Sequence, residues 1–276
     1  MGAVTYDVPT SLSPSRVDAF TTCPMLFRFT SIERLPEPPS IHTTKGSMVH
    51  RVLELLFCRP AAERTRANAA ADTDRMLAEY AHDPELTGLE LGGDEYDALV
   101  VEVGDLLDRY FQMEDPARVH EIGVELRLEA HVGDLALRGI IDRLDLDERG
   151  DLVVVDYKTG RAPMVDREQR RLGGVNFYAF LCQEVLGRRP VAVRLMYLRS
   201  GEVIEAVPTE RSVEFLTRRT TAVWHAVEKA CLSGDFRPRP GALCGSCAFQ
   251  RWCPAFGGEP DLAAVEAATA FGMIAA

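Results

Sequence analysis

Apolar residues along the chain follow two periods, and the switch between them divides the sequence. In the first part the spacing is helical. Ser13-Pro14-Ser15 carries a cap residue followed by proline, the signal of a helix start. Val17 and Phe20, then Met25, Leu26 and Phe29 beyond the Cys23-Pro24 break, form an inward-facing set. The stretch LPEPPS, with prolines at 36, 38 and 39, predicts a linker. Thr43 or Thr44 then opens a helix that carries Met48, Val49, Val52, Leu53, Leu55 and Leu56, with His50 among them. Residues from about 60 to 113 predict two or three helices, the last with Leu99, Val103, Leu106, Leu107 and Tyr110 in register.

Near Val119 the period changes to two. Ile122, Val124, Leu126 and Leu128 alternate with Glu121, Gly123, Glu125, Arg127 and Glu129, as in a half-buried strand. Leu135–Leu146 and Leu152–Tyr157 predict two further strands, and the short GDL and DERGD connections make the three an antiparallel meander. A helix from about Glu168 to Leu186 follows, then strands at Val191–Leu198 and Val203–Val207 and a long helix from about Glu210 to Leu232. This order predicts an α/β fold on a mixed sheet.

Composition narrows the function classes. The 276 residues are 46% hydrophobic and 26% charged, ordinary for a globular protein with a sizeable core. No apolar run reaches the roughly 18 residues that span a bilayer, and the first residues lack the pattern of a secretory signal. Seven cysteines without an export signal predict a reducing, cytoplasmic setting, where thiols bind metal or sit buried. The net charge of −11 argues mildly against nucleic acid but leaves room for local basic patches such as Arg167/Arg170/Arg171. No GxxxxGK[ST] loop is present, which argues against an ATPase motor.

Two groups of residues carry chemistry. Cys244-x2-Cys247-x5-Cys253, with the distant Cys23, has the content of a four-sulfur site for zinc or an iron–sulfur cluster that joins the chain ends. The second group is His50, Glu125, Asp142 and Asp156-Tyr157-Lys158. Asp156 and Lys158, two apart on a strand, share a face. Antiparallel pairing through DERGD brings Asp142 near Asp156, and hard oxygen ligands suit Mg²⁺ or Mn²⁺. Lys158 is one of three lysines among 31 basic residues, so its place beside the acidic pair stands out.

The ordered set Gly46-x3-His50, Glu125, Gly139-x2-Asp142-Arg143 and Asp156-Tyr157-Lys158-Thr159 resembles the RecB-type nucleases of the PD-(D/E)xK superfamily. The cysteine set is similar to the iron–sulfur clasp of AddB and of CRISPR-associated RecB-type nucleases. The resemblance implies a restriction-endonuclease-like core, a central mixed sheet flanked by helices, within a single nuclease domain over 1–276. A helical insert spans about 59–116, the core about 117–208, and the last helix with the cysteine clasp 209–256. It implies a metal held by His50, Asp142, Asp156 and the Tyr157 carbonyl, with Glu125 completing the site and Lys158 positioning the attacking water. It implies a 4Fe–4S cluster on Cys23, Cys244, Cys247 and Cys253 in preference to zinc, and DNA contacts from Tyr178 and Arg143.

The expected activity is Mg²⁺- or Mn²⁺-dependent hydrolysis of DNA, exonucleolytic on single strands or ends, in repair or recombination, with a helicase as possible partner and no membrane. The family's Gln-x3-Tyr is broken, since Gly174 stands four residues before Tyr178. This keeps open a second reading, a catalytically weak DNA-binding subunit of a helicase-nuclease or CRISPR adaptation complex.

Overall fold

The computed structural model describes residues 5–162 and 168–271, with the backbone alone for 168–173. The Arg167/Arg170/Arg171 patch and the Gln169 side chain therefore lie outside the described residues. In chain order the elements are β1 (Ser11–Leu12), α1 (Pro14–Thr22), α2 (Pro24–Phe27), a π-helical turn (Arg28–Ile32), α3 (Ile41–Phe57), α4 (Arg66–Tyr80), α5 (Pro84–Thr87) and α6 (Gly93–Met113). Then come β2 (Glu121–Val132), β3 (Leu135–Leu146), β4 (Leu152–Lys158), α7 (Glu168–Leu186), β5 (Ala192–Tyr197), β6 (Glu202–Ala206), α8 (Glu210–Ser233) and α9 (Pro260–Ala270). The contacts gather into two compact units. One contains residues 1–38, 129–138 and 214–276, and the other 39–128 and 139–213.

The second of these units carries the mixed sheet. β4 lies between β3, antiparallel, and β5, parallel, and β6 continues antiparallel to β5. Only a central strand can be apolar on both faces, and Leu152–Tyr157 is buried throughout. Its alternation sends Val153, Val155 and Tyr157 into a core with α3, α4 and α6, where Met48, Val52, Leu56, Val103 and Tyr110 pack. Val154 and Asp156 alternate with these along the strand. Ser40, not Thr43 or Thr44, caps α3, its hydroxyl accepting the Thr43 amide at 3.2 Å. The helix therefore starts at Ile41, two residues before its expected start.

β2 departs from simple alternation. Leu128 and Ala130 are buried while Ile122 is 51% exposed. The break falls at Glu125, whose φ of +46° is left-handed inside a strand. A left-handed residue re-aims the side chains on either side of it, which the two-residue period in the sequence cannot register.

In the other unit, β1 pairs in parallel with the start of β3, Leu12 opposite Leu137. Arg28 is buried, with Glu33 at 2.8 Å, Asp261 at 2.5 Å and the Tyr6 ring beneath it at 5.0 Å. Phe29, Phe249, Trp252 and Phe271 form an aromatic cluster, and the Trp252 indole N–H donates to Glu266 at 2.9 Å. These contacts tie the first forty residues to the last thirty without any metal. The tail after the cysteines, rich in alanine, is the helix α9 and supplies Asp261 and Glu266.

Gly258 marks the tightest point of this unit. A Cβ there would stand 2.2 Å from the Arg251 carbonyl and 2.5 Å from the Trp252 backbone, neither of which can swing aside. Gly258→Ala should cost about 2 kcal/mol by overpacking and lower Tm by roughly 5 °C. Gly104→Ala, in open space within α6, should instead raise Tm slightly, because alanine is the better helix former. Thermal melts of the two variants check both signs.

Candidate metal centre at the end of β4

Four elements converge at the end of β4. α3 brings His50, the left-handed turn of β2 brings Glu125, β3 brings Asp142, and β4 brings Asp156 and Lys158. One ligand atom each from His50, Glu125 and Asp142 lie within 4.8 Å of one another. His50 Nδ1 stands 3.6 Å from Asp142 Oδ1 and 4.0 Å from Glu125 Oε1. Its other nitrogen, Nε2, is 3.1 Å from the Tyr157 carbonyl oxygen. A carbonyl only accepts, so Nε2 carries the proton in this contact, and the lone pair of Nδ1 faces the carboxylates.

The Tyr157 backbone serves both ligands, since its N–H donates to Asp142 Oδ2 at 2.7 Å. Asp156 is buried, and its Oδ2 has no hydrogen-bond partner. Lys158 Nζ approaches that oxygen to 2.5 Å, an ion contact outside the directions of a hydrogen bond.

The electrostatics are those of an anionic pocket short of positive charge. Burial, reinforced by the Asp156 charge, pushes the Asp142 carboxyl up to about 7. Burial and then Asp142 raise Glu125 in the same way. Burial pulls the His50 imidazole below its ordinary value, keeping it neutral and able to ligate. Burial also pulls Lys158 down, but the charges of Asp156 and Asp142 outweigh it and the net shift is upward, so Lys158 stays an ammonium. Converging carboxylates whose mutual charge raises their pKa values and an aimed imidazole lone pair fit a divalent cation with mixed oxygen and nitrogen ligands.

Tyr178, on α7, lies near the group. Burial and then the charges of Asp156, Asp142 and Glu125 raise its hydroxyl pKa. Its ring would stand 3.5 Å from a Cβ at Gly139, and Leu181 only 2.8 Å, so Gly139 admits the helix to the sheet. Among the described residues, a Cβ added at Gly174 would meet nothing within 4 Å.

Arg143 is a correction. Expected on the DNA side, it is 1% exposed, with its guanidinium bound to Asp145, Glu114 and the Tyr157 hydroxyl. As the neighbour of Asp142 along the strand it points the other way, into the core.

The four cysteines belong to the unit that contains the chain ends. Burial raises the Cys247 thiol, and the charges of Cys23, Cys253 and Cys244 add to the shift, so the four are electrostatic neighbours. Backbone amides serve three of the sulfurs: Arg239 to Cys23 at 3.4 Å, Gly241 to Cys244 at 3.3 Å, and Phe249 to Cys247.

A family model described as the PD-(D/E)XK nuclease superfamily matches residues 11–254. The chain belongs to this superfamily. The His50–Glu125–Asp142 group has the side chains and spacing that could hold a metal ion. The structure is similar to a provisionally assigned exonuclease from Eubacterium rectale, with a TM-score of 0.59, 12% identity and 88% of each chain covered. It also aligns with the crystal structure of SSO0001 at a TM-score of 0.43, 12% identity and 90% and 88% coverage, a likeness that carries no weight here. In sequence, the Gene 69 protein of Mycobacterium phage L5 is 28% identical over 136 residues. That match covers 48% of this chain and 44% of the phage protein, less than half the relative's length.

No signal short of the backbone angles could have shown how Glu125 is presented. A left-handed glutamate stores roughly 1 kcal/mol or more of strain. Glu125→Gly should therefore melt a few degrees higher than wild type without metal, yet bind Mn²⁺ more weakly by at least about tenfold. Melting curves and Mn²⁺ titration of the same preparation read both effects.

Proposed function

We propose that the protein is a Mg²⁺- or Mn²⁺-dependent deoxyribonuclease of the RecB type, an exonuclease acting on single strands or DNA ends in repair or recombination. The observation that supports it most is the convergence of the His50 Nδ1 lone pair with Glu125 and Asp142, close to the Asp156 charge and its Lys158 ammonium. His50, Asp142, Asp156 and the Tyr157 carbonyl would hold the metal, and Glu125 would complete the shell. When bound, the ion supplies Lewis acidity toward a phosphodiester oxygen and lowers the pKa of a coordinated water. Lys158, protonated, donates hydrogen bonds that orient the attacking water and offset charge on the phosphate. Asp156 holds that ammonium in place. His50, its Nε2 proton committed to the Tyr157 carbonyl, presents its lone pair without taking part in proton transfer.

For Cys23, Cys244, Cys247 and Cys253 we propose a 4Fe–4S cluster in preference to zinc. The mutual charge at Cys247 and the amide donors to three sulfurs fit a thiolate-bound cofactor. Iron and sulfide analysis of anaerobically purified protein decides between the two.

Gly174 in place of the glutamine of the resembled motif supports the second reading, a DNA-binding subunit of low activity that works with a helicase. Digestion of end-labelled single-stranded DNA with Mn²⁺, with Asp156→Ala as control, tests the two readings together. The nuclease reading expects wild-type cleavage that Asp156→Ala loses. Binding without cleavage in both would leave the subunit reading in its place. Lys158→Ala should lower the cleavage rate by at least about 100-fold while the Kd for DNA stays within about twofold, since binding is spread over many phosphates. An equal loss of both would make Lys158 a phosphate anchor instead.

A further inference from the structure

Tyr157 belongs to two neighbourhoods. Its backbone faces the metal centre, the N–H donating to Asp142 Oδ2 at 2.7 Å and the carbonyl meeting His50 Nε2 at 3.1 Å. Its ring points to the opposite environment, the core formed with α3 and α6. There the Tyr157 hydroxyl accepts from Arg143 Nη1 at 2.7 Å.

The guanidinium is itself fixed from two sides. Asp145 accepts from Nε at 2.8 Å and from Nη2 at 2.9 Å. Glu114 accepts from Nη1 at 2.5 Å and from Nη2 at 3.1 Å. Phe57 lies against the guanidinium at 4.4 Å, and the Tyr110 hydroxyl donates to Glu114 at 2.6 Å. The Tyr110 and Tyr157 rings meet edge to face at 5.9 Å.

Filling this volume with apolar side chains would serve stability as well or better, because a buried ion network must repay the desolvation of its charges. What such a network adds is direction. A planar guanidinium held by two carboxylates is a rigid mount, and the hydroxyl it grips sits at the far end of a stiff ring. With that ring fixed, the Tyr157 Cα and the peptide groups on either side of it resist rotation about the strand axis. Rotation would pull its N–H from Asp142 and its carbonyl from His50 in one motion.

We propose that Arg143 is a positioning residue for the metal centre. Through the Tyr157 hydroxyl it fixes the Tyr157 side chain and so steadies the two peptide groups that flank its Cα, one whose N–H holds Asp142 and one whose carbonyl holds His50. The proposal rests on the reading of His50, Glu125 and Asp142 as metal ligands. It assigns to the core arginine a role that no substrate contact explains.

The test is Mn²⁺ titration calorimetry on wild type, Tyr157→Phe, Arg143→Lys and the double variant, with a thermal melt of each. Tyr157→Phe keeps the ring and every charge and removes only the gripped oxygen. Arg143→Lys keeps the positive charge but cannot bridge two carboxylates and a hydroxyl at once. Each single variant should weaken Mn²⁺ binding by about five- to tenfold, the low end for outer contacts of a metal site. The double variant should be no worse than the weaker single, because both act through one contact.

A Tyr157→Phe protein that melts lower but binds Mn²⁺ as wild type does would make the network a packing feature and overturn the proposal. So would additive losses in the double variant. A wild-type protein that takes up no Mn²⁺ overturns the metal reading and this proposal with it. Wild-type uptake with unaltered variants overturns the proposal alone.

Discussion

The constraint on which the metal centre depends is a shortage of positive charge. Glu125, Asp142 and Asp156 are brought together at the end of a buried strand, where the low dielectric magnifies their repulsion. Lys158 offsets one of them. His50, held neutral by burial, offsets none. Without metal, Asp142 meets the shortage by keeping its proton toward neutral pH. A divalent cation would meet it by replacing that proton, so folding energy stored in the repulsion becomes affinity.

The rest of the second unit can be understood as support for this arrangement. β4 is buried on both faces, which fixes its register between β3 and β5 and thus the places of Asp142 and Asp156. α3 packs against the same strand through Met48, Val52 and Leu56, and this packing delivers His50 to the strand end. Gly139 leaves room for α7, and with it Tyr178. The unit containing the chain ends is closed by Arg28 with Asp261 and by an aromatic cluster.

Much of this was legible in the sequence because the relevant signals are local. The continuous apolar run Leu152–Val155 showed a buried strand whose end opens into chemistry, and the helical spacing from Met48 to Leu56 put His50 on that helix. What stayed hidden depended on geometry that periodicity does not encode. Glu125 reads as an ordinary strand position until its left-handed φ is seen. Arg143 reads as a basic residue beside an active-site aspartate, hence as a DNA contact. The better signal was its i+2 partner Asp145, which shares its face of the strand and pairs with it. β1 is two residues long and carries no pattern to read. The division into two units joins segments far apart in the chain, which no local signal reports.

Anomalous diffraction from a crystal soaked in Mn²⁺ tests the central claim most directly, since it locates the metal independently of activity. The account predicts one strong peak within bonding distance, about 2.0–2.3 Å, of His50 Nδ1 and of Asp142, with Glu125 and Asp156 contributing further oxygens or bound waters. A peak coordinated through His50 Nε2, or no peak among these residues with manganese bound elsewhere, would contradict it.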